Sequence, residues 1–165
     1  MIFEEKKITL KNSITAVLKT PEIEDAEMML NSIKTSSGQT KFLSRYMEDW
    51  DGVTVESEEK WICNSRESDS TLVLACYIDG KIVGNSDINF LNGSKTYHRA
   101  VVGIAIIEEY WNMGIGSAMF EELIKAAREH KGTEIVELEF LEGNERAQAL
   151  YEKFGFKTVS VKPKA

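Results

Sequence analysis

The stretch Val101-Val-Gly-Ile-Ala-Ile-Ile-Glu-Glu-Tyr-Trp-Asn-Met-Gly-Ile-Gly-Ser-Ala-Met-Phe120 decides how the rest of the chain is read. It begins as an unbroken run of β-branched and small apolar residues, the mark of a buried strand. A short loop follows. Two glycines spaced by one residue then open a helix from about Gly114 to His130, with Ile115, Met119, Leu123, Ala126 and Ala127 on one stripe. A strand that passes through such a loop into a helix gathers unpaired backbone N–H groups and the positive helix end at one point, which suits an anion. Side chains at Gly114 and Gly116 would block close approach of a phosphate or forbid the loop's dihedral angles. Taken alone, the same pattern also fits a tight strand-to-helix turn with no ligand.

Two other phosphate-binding designs meet objections in the surrounding residues. No Gly-Lys-Ser/Thr follows the glycines, which excludes a P-loop. Glu137 and Glu139 lie where a dinucleotide fold would place its ribose-binding carboxylate, but that fold needs its glycines early and βαβ alternation on both sides. Upstream, the pattern is instead a meander. Thr71–Ile78 and Lys81–Phe90 are strand-like runs joined by Asp79-Gly80, and Asn92-Gly93 precedes a third, Tyr97–Ile107. Downstream, Ile135–Phe140 reads as a strand. Asn144 caps a helix with Ala147, Leu150, Tyr151 and Phe154 on its apolar face, Gly155 stops it, and Phe156–Val161 reads as a last strand.

The N-terminal part is less regular. Ser13–Lys19 alternates as a short strand. Pro21 and the acidic Glu22, Glu24 and Asp25 open a helix that runs to about Lys34, with Ile23, Ala26, Met29, Leu30 and Ile33 on one face. Ser36-Ser37-Gly38 reads as a loop, Lys41–Trp50 as ambiguous, and Glu58–Asn64 as a helix opened by Ser57. The expected order is β, two helices, three antiparallel strands, then α, β, α, β. This is an α/β (α+β) chain with a mixed, mostly antiparallel sheet flanked by helices.

The 165 residues, 42% of them hydrophobic, suffice for one domain with its own core. A formal net charge of −7 argues against nucleic acid as a partner and mildly favours a cationic small molecule or basic peptide. Cys63 and Cys76 lack the spacing of a zinc or redox motif, and no metal site is expected. The charged start Met1-Ile-Phe-Glu-Glu-Lys-Lys-Ile has no apolar signal core, and no uncharged stretch reaches membrane-spanning length. A soluble, cytoplasmic protein without a membrane partner is expected.

The strand Gly103–Ile107, the loop Glu108–Met113 and the helix start Gly114-Ile115-Gly116-Ser117 resemble motif A of the GNAT N-acetyltransferases, usually Arg/Gln-x-x-Gly-x-Gly/Ala. Leu138-Glu139-Phe140, Asn144-Glu-Arg-Ala147, Leu150-Tyr151-Glu-Lys153 and Gly155-Phe156 are similar to motif B of that superfamily. The resemblance spans about Thr71 to Val161. It implies one domain over residues 1–165, with an acetyl-CoA-binding core at 71–161 and a variable, acceptor-side part at 1–70. It also implies acetyl-CoA as co-substrate: Ile104, Ala105 and Ile106 would pair with the pantetheine arm, which carries two amides, and Asn112, Met113, Gly114, Ile115, Gly116 and Ser117 would wrap the pyrophosphate. Asn144 would be a cofactor contact as well as a helix cap. One departure stands in the loop: Trp111 occupies the Arg/Gln position. Backbone N–H groups make the recurrent contacts there, so binding is expected to survive the change.

The resemblance further implies acetyl transfer to a primary amine, with a small-molecule acceptor as the leading reading. A protein N-terminus and a non-catalytic acyl-CoA sensor are the alternatives. An amine attacks only when deprotonated, so a base or a water-mediated proton path is required. Tyr151 matches the family's frequent general acid, and it also fits a core tyrosine on the helix's apolar face. Glu139 matches the proton acceptor of the branch that acetylates ribosomal-protein N-termini; alternation puts Glu137 on the same face, and both could equally point to solvent. The place where many relatives carry a base at the start of the central strand is Val101, with His98 just before it. The run Glu48, Asp49, Asp51, Glu56, Glu58 and Glu59 is either a solvated face or the mouth of a cation site. No nucleophile motif is present, so transfer would be direct, in a ternary complex. A homodimer is compatible, with the end of the sheet after Phe156 as one place for it.

Overall fold

The computed structural model describes residues 1–163. Strands β1 (Lys6–Thr9), β2 (Thr15–Lys19), β3 (Thr71–Ile78), β4 (Lys81–Phe90), β5 (Arg99–Ile106) and β6 (Ile135–Glu137) form one sheet in sequential order. Neighbours are antiparallel except β5 and β6, which run parallel. The parallel pair requires a crossover, which the helix α3 (Ile115–Glu129) provides. Helices α1 (Ala26–Gln39) and α2 (Val55–Glu67) come before the meander, and α4 (Glu145–Lys153) follows β6.

Side-chain alternation in the central strands explains the layers. In β3, Val73, Ala75 and Tyr77 pack with Ala26 and Met29 of α1's N-terminal turns and with Ile62 of α2. The intervening Leu72 and Leu74 pack with Phe120 and Leu123 of α3 and with Tyr151 of α4. Cys76 and Ile78 meet Ile115 and Met119 on that same side. A strand covered on both faces should read as a continuous apolar run, and Thr71–Ile78 does. Phe120, at 0% exposure, is the hinge of the second layer, with its ring among those of Tyr151, Phe154 and Phe156.

Several expectations are corrected. The first strand is Lys6–Thr9, unforeseen because Lys-Lys-Ile-Thr is largely charged; it is the edge of the sheet, where charge guards an open row of backbone groups. Helix α1 continues through Ser36-Ser37-Gly38 to Gln39. Local chemistry there favours a loop, but Ser36 and Ser37 are buried, Ser36 Oγ donates to the Ile33 carbonyl, and Trp50 Nε1 donates to Ser37 Oγ. Lys41–Trp50 is a loop that ends in a 3-10 turn at Met47–Trp50. Helix α2 opens at Thr54: its hydroxyl accepts from Ser57 N–H at 3.1 Å, and Ser57 returns the bond to Thr54 N–H.

The C-terminal strands are shorter than the apolar pattern suggests. β6 stops at Glu137, so Leu138–Phe140 lie outside the ladder. Phe156–Val161 is not a strand: among the described residues no strand pairs with it, and Val159 and Val161 are 94% and 75% exposed. A strand needs a partner ladder as well as β-branched residues.

Candidate active site

β5 and β6 pair only at Arg99 with Ile135, Ala100 with Val136 and Val101 with Glu137. From Val102 onward, the edge of β5 turned away from β4 has no strand beside it among the described residues. A cleft of about 430 Å³ opens there, lined by Val102–Ile106, the loop from Tyr110 to Asn112, the start of α3, Glu139–Phe140 and the inward face of α4. Thr40, Phe42, Leu43 and Ser44, in the segment after α1, also line it.

Loop geometry at the head of α3 follows from two left-handed residues. Asn112 has φ 62° and Gly114 φ 98°. The second is the N-cap of α3, and no side chain caps it. The first intrahelical bond comes from Ala118 N–H to the Gly114 carbonyl, which leaves the N–H groups of Ile115, Gly116 and Ser117 without an intrahelical acceptor at the cleft wall. Met113 is braced from behind, its carbonyl accepting from Lys11 N–H at 3.1 Å and its sulfur from Asn12 at 3.5 Å. The two glycines therefore differ in purpose. Gly114 is required by its dihedral angle, whereas a Cβ on Gly116 would lie 3.1 Å from Leu150 Cδ2, so Gly116 lets α3 pack against α4.

Of the residues named from the sequence, Ile104, Ala105, Ile106, Asn112, Gly114, Ile115, Gly116, Ser117, Glu139, Asn144 and Tyr151 all line this one cleft. Met113 does not. Asn144 caps α4, its Oδ1 accepting from Ala147 N–H. Tyr151 is 9% exposed; burial pushes its phenol pKa up and the nearby Arg146 pulls the other way, so the hydroxyl is held as a donor. Glu139 is 79% exposed and paired with Lys162; Glu137 is paired with Arg99. His98 contributes its carbonyl to Glu134 and Ile135 N–H, and His130 stacks on Phe90 at 3.8 Å; neither lines the cleft. Nor does any member of the acidic run, in which Glu58 alone is buried and the rest face solvent.

Three cations to which the sequence pattern assigns no cofactor contact also lie here. Lys11, Arg146 and Lys153 line the cleft near the α3 N-terminus, and Lys153 Nζ donates to Ser117 Oγ at 3.0 Å. Arg146 lies over the Trp111 ring. A net charge of −7 hides such a local patch because it sums over the whole surface. The arrangement can hold a polyanion at the helix start and an extended amide-bearing chain along the open edge of β5.

Residues 36–156 match the model of the acetyltransferase (GNAT) family. The chain belongs to that family. Among curated relatives it is 44% identical over 61 residues to an N-alpha-acetyltransferase of Sulfurisphaera tokodaii, a match covering 37% of this chain and 36% of the relative. It is 31% identical over 84 residues to the L-amino acid N-acetyltransferase AaaT of Escherichia coli, covering 51% of each. These matches thus span about a third to a half of the relatives' length. Among solved structures, a GNAT-family acetyltransferase from Streptococcus pneumoniae superposes with TM-score 0.79 at 28% identity, over 85% of this chain and 83% of that one. The GNAT chain described here carries no helix, among its described residues, that is long and apolar enough to cross a membrane.

Proposed function

We propose that this chain transfers the acetyl group of acetyl-CoA to the primary amine of a small molecule, by direct attack within a ternary complex. The observation that carries the reading is the parting of β5 from β6 after Val101 and Glu137 beside the unpaired N–H groups that open α3. The two features suit the two halves of the co-substrate. Lys11, Arg146 and Lys153 and the N–H groups of Ile115, Gly116 and Ser117 would hold its phosphates, and the unpaired edge at Ile104–Ile106 would take its amides as a neighbouring strand does. When bound, acetyl-CoA supplies an activated thioester carbonyl.

The residues of the chain provide the rest. N–H groups on the open β5 edge would stabilise negative charge on the carbonyl oxygen. Tyr151, buried and protonated, donates to the departing sulfur. Thr40, Phe42, Leu43 and Ser44 line the cleft with the open edge of β5, and a small acceptor would sit between them. Within that class an α-amine is favoured, because one relative is an L-amino acid N-acetyltransferase. A thermal-shift titration with acetyl-CoA tests binding; a panel of amino acids and amines, followed by release of free thiol, tests transfer. A concentration-dependent rise lost in Gly116→Trp supports the site, and no rise at saturating acetyl-CoA removes the reading.

A protein or peptide N-terminus is the second reading, favoured by the N-alpha-acetyltransferase match. Acetylated peptide products, found by mass spectrometry where free amino acids give none, would establish it instead.

A further inference from the structure

We propose that Asp87 is the general base that takes the proton of the acceptor amine, an assignment that rests on the acetyltransferase reading above. β4 is an interior strand with helices on both sides, where a carboxylate is rarely found without a partner. On the sheet face turned to α1 and α2, its neighbour β3 carries Val73, Ala75 and Tyr77, but β4 carries Asn85, Asp87 and Asn89. Asp87 takes part in no ion pair among the described residues. One oxygen, Oδ2, accepts from Asn89 Nδ2 at 2.5 Å. The other leans over β5: Oδ1 lies 3.1 Å from where a Cβ on Gly103 would be, and Gly103 is its cross-strand partner and a wall of the cleft.

A second, independent feature lies one step along the same face. Asn85 pairs with Ala105, another cleft-lining residue, and its Oδ1 is buried with no hydrogen-bond donor among the described residues. Asn85 and Asp87 do not line the cleft themselves; their oxygens sit beside Gly103 and Ala105, two small residues of β5 that do, at the level where β6 has already departed. An amine or ammonium group is a donor that such oxygens would receive. The carboxylates nearer the cleft mouth are committed elsewhere, Glu137 to Arg99 and Glu139 to Lys162.

In the reaction Asp87 accepts one proton from the ammonium form, directly or through water. The nitrogen lone pair then forms the N–C bond, the C–S bond breaks as the tetrahedral adduct collapses, Tyr151 protonates the sulfur, and the second amine proton restores the Tyr151 hydroxyl. One proton is released per acetyl group moved. Burial pushes the Asp87 carboxyl up to about 6, with the Asn89 bond acting in the opposite sense, which suits a base working near neutrality. The other titratable groups turned to this face are Lys19 of β2, which lies over the Tyr77 ring, Tyr77 of β3, whose hydroxyl donates to Asp25, Glu58 of α2, and the pair Arg99 of β5 and Glu137 of β6; among the described residues α1 buries no charged residue.

The test is steady-state kinetics of Asp87→Asn against acetyl-CoA and the best amine, with the thermal shift by acetyl-CoA measured in parallel. Expected are a fall in kcat of about a hundredfold or more, loss of the acid limb near pH 6, and an unchanged acetyl-CoA shift. Added formate should restore part of the turnover of Asp87→Ala, which covers the case in which the asparagine variant folds poorly. A kcat within a few-fold of the parent, an intact acid limb, or a lost acetyl-CoA shift without formate rescue each overturns the assignment and leaves acetyl transfer by the parent standing. A parent that binds acetyl-CoA and acetylates no amine overturns the acetyltransferase reading itself, and this assignment with it.

Discussion

The guanidinium carbon of Arg146 lies 3.3 Å from the centre of the Trp111 ring, and Trp111 Nε1 donates to the Ile106 carbonyl at 2.7 Å. The indole that stands in the family's Arg/Gln position is thus fixed to the end of β5 and seats a cation brought by α4. The positive charge is supplied from another element.

Arg146→Ala should weaken acetyl-CoA binding by roughly ten- to a hundredfold, on a charge-assisted hydrogen bond of about 1.5–3 kcal/mol. Trp111→Ala should cost less, about 2- to 30-fold, since a cation–π contact is worth roughly 0.5–2 kcal/mol. Calorimetric titration at two salt concentrations checks both, and the salt dependence should be smaller in the arginine variant.

Tyr151→Phe should lower kcat by about a hundredfold while leaving the KM for acetyl-CoA nearly unchanged, because the ring's packing against Phe120, Phe140 and Phe156 survives and only the donor is lost. Burial raises the phenol above its ordinary value of about 10, so the parent should show no alkaline fall from this group below that pH. Equal kcat values would remove Tyr151 from the mechanism.

Gly114→Ala forces a Cβ into the left-handed region at φ 98° and should cost about 1–2 kcal/mol, or roughly 2–8 °C in melting temperature. It should also shrink the stabilisation given by acetyl-CoA, since the N–H groups that follow are re-aimed. Differential scanning with and without ligand measures both effects.

Cys76 is 0% exposed, and burial pushes its thiol up to about 12. The folded protein should therefore release no more than one equivalent in a thiol assay at pH 8, from Cys63, and two after unfolding. Because the folded value is raised, the unfolded chain gives up this proton first, so stability should fall as pH climbs from about 9 towards 12. Urea midpoints across that window check the sign.

The meander and the motif A turn were legible because their signals are local. Asp79-Gly80 requires a turn, with both residues at positive φ, and the loop at Gly114 requires φ 98°. Asn144 is likewise a cap whatever surrounds it. The misreadings share a different cause. Ser36-Ser37-Gly38 joined a helix because Trp50, thirteen residues on from Ser37, reaches back to it, and Phe156–Val161 failed to form a strand because no described strand pairs with it.

Residue order alone determined that a buried strand enters a helix through a two-glycine loop, and that a second cap-and-helix motif follows at the family's spacing, since short-range dihedral and periodicity constraints act within a few residues. Only the tertiary structure decided where β5 leaves β6, that Arg146 meets Trp111, and that Asp87 lies behind Gly103. Each of those depends on strand register and helix packing across the sheet, which are set by the collective burial of the core and carry no local signature at the residues concerned.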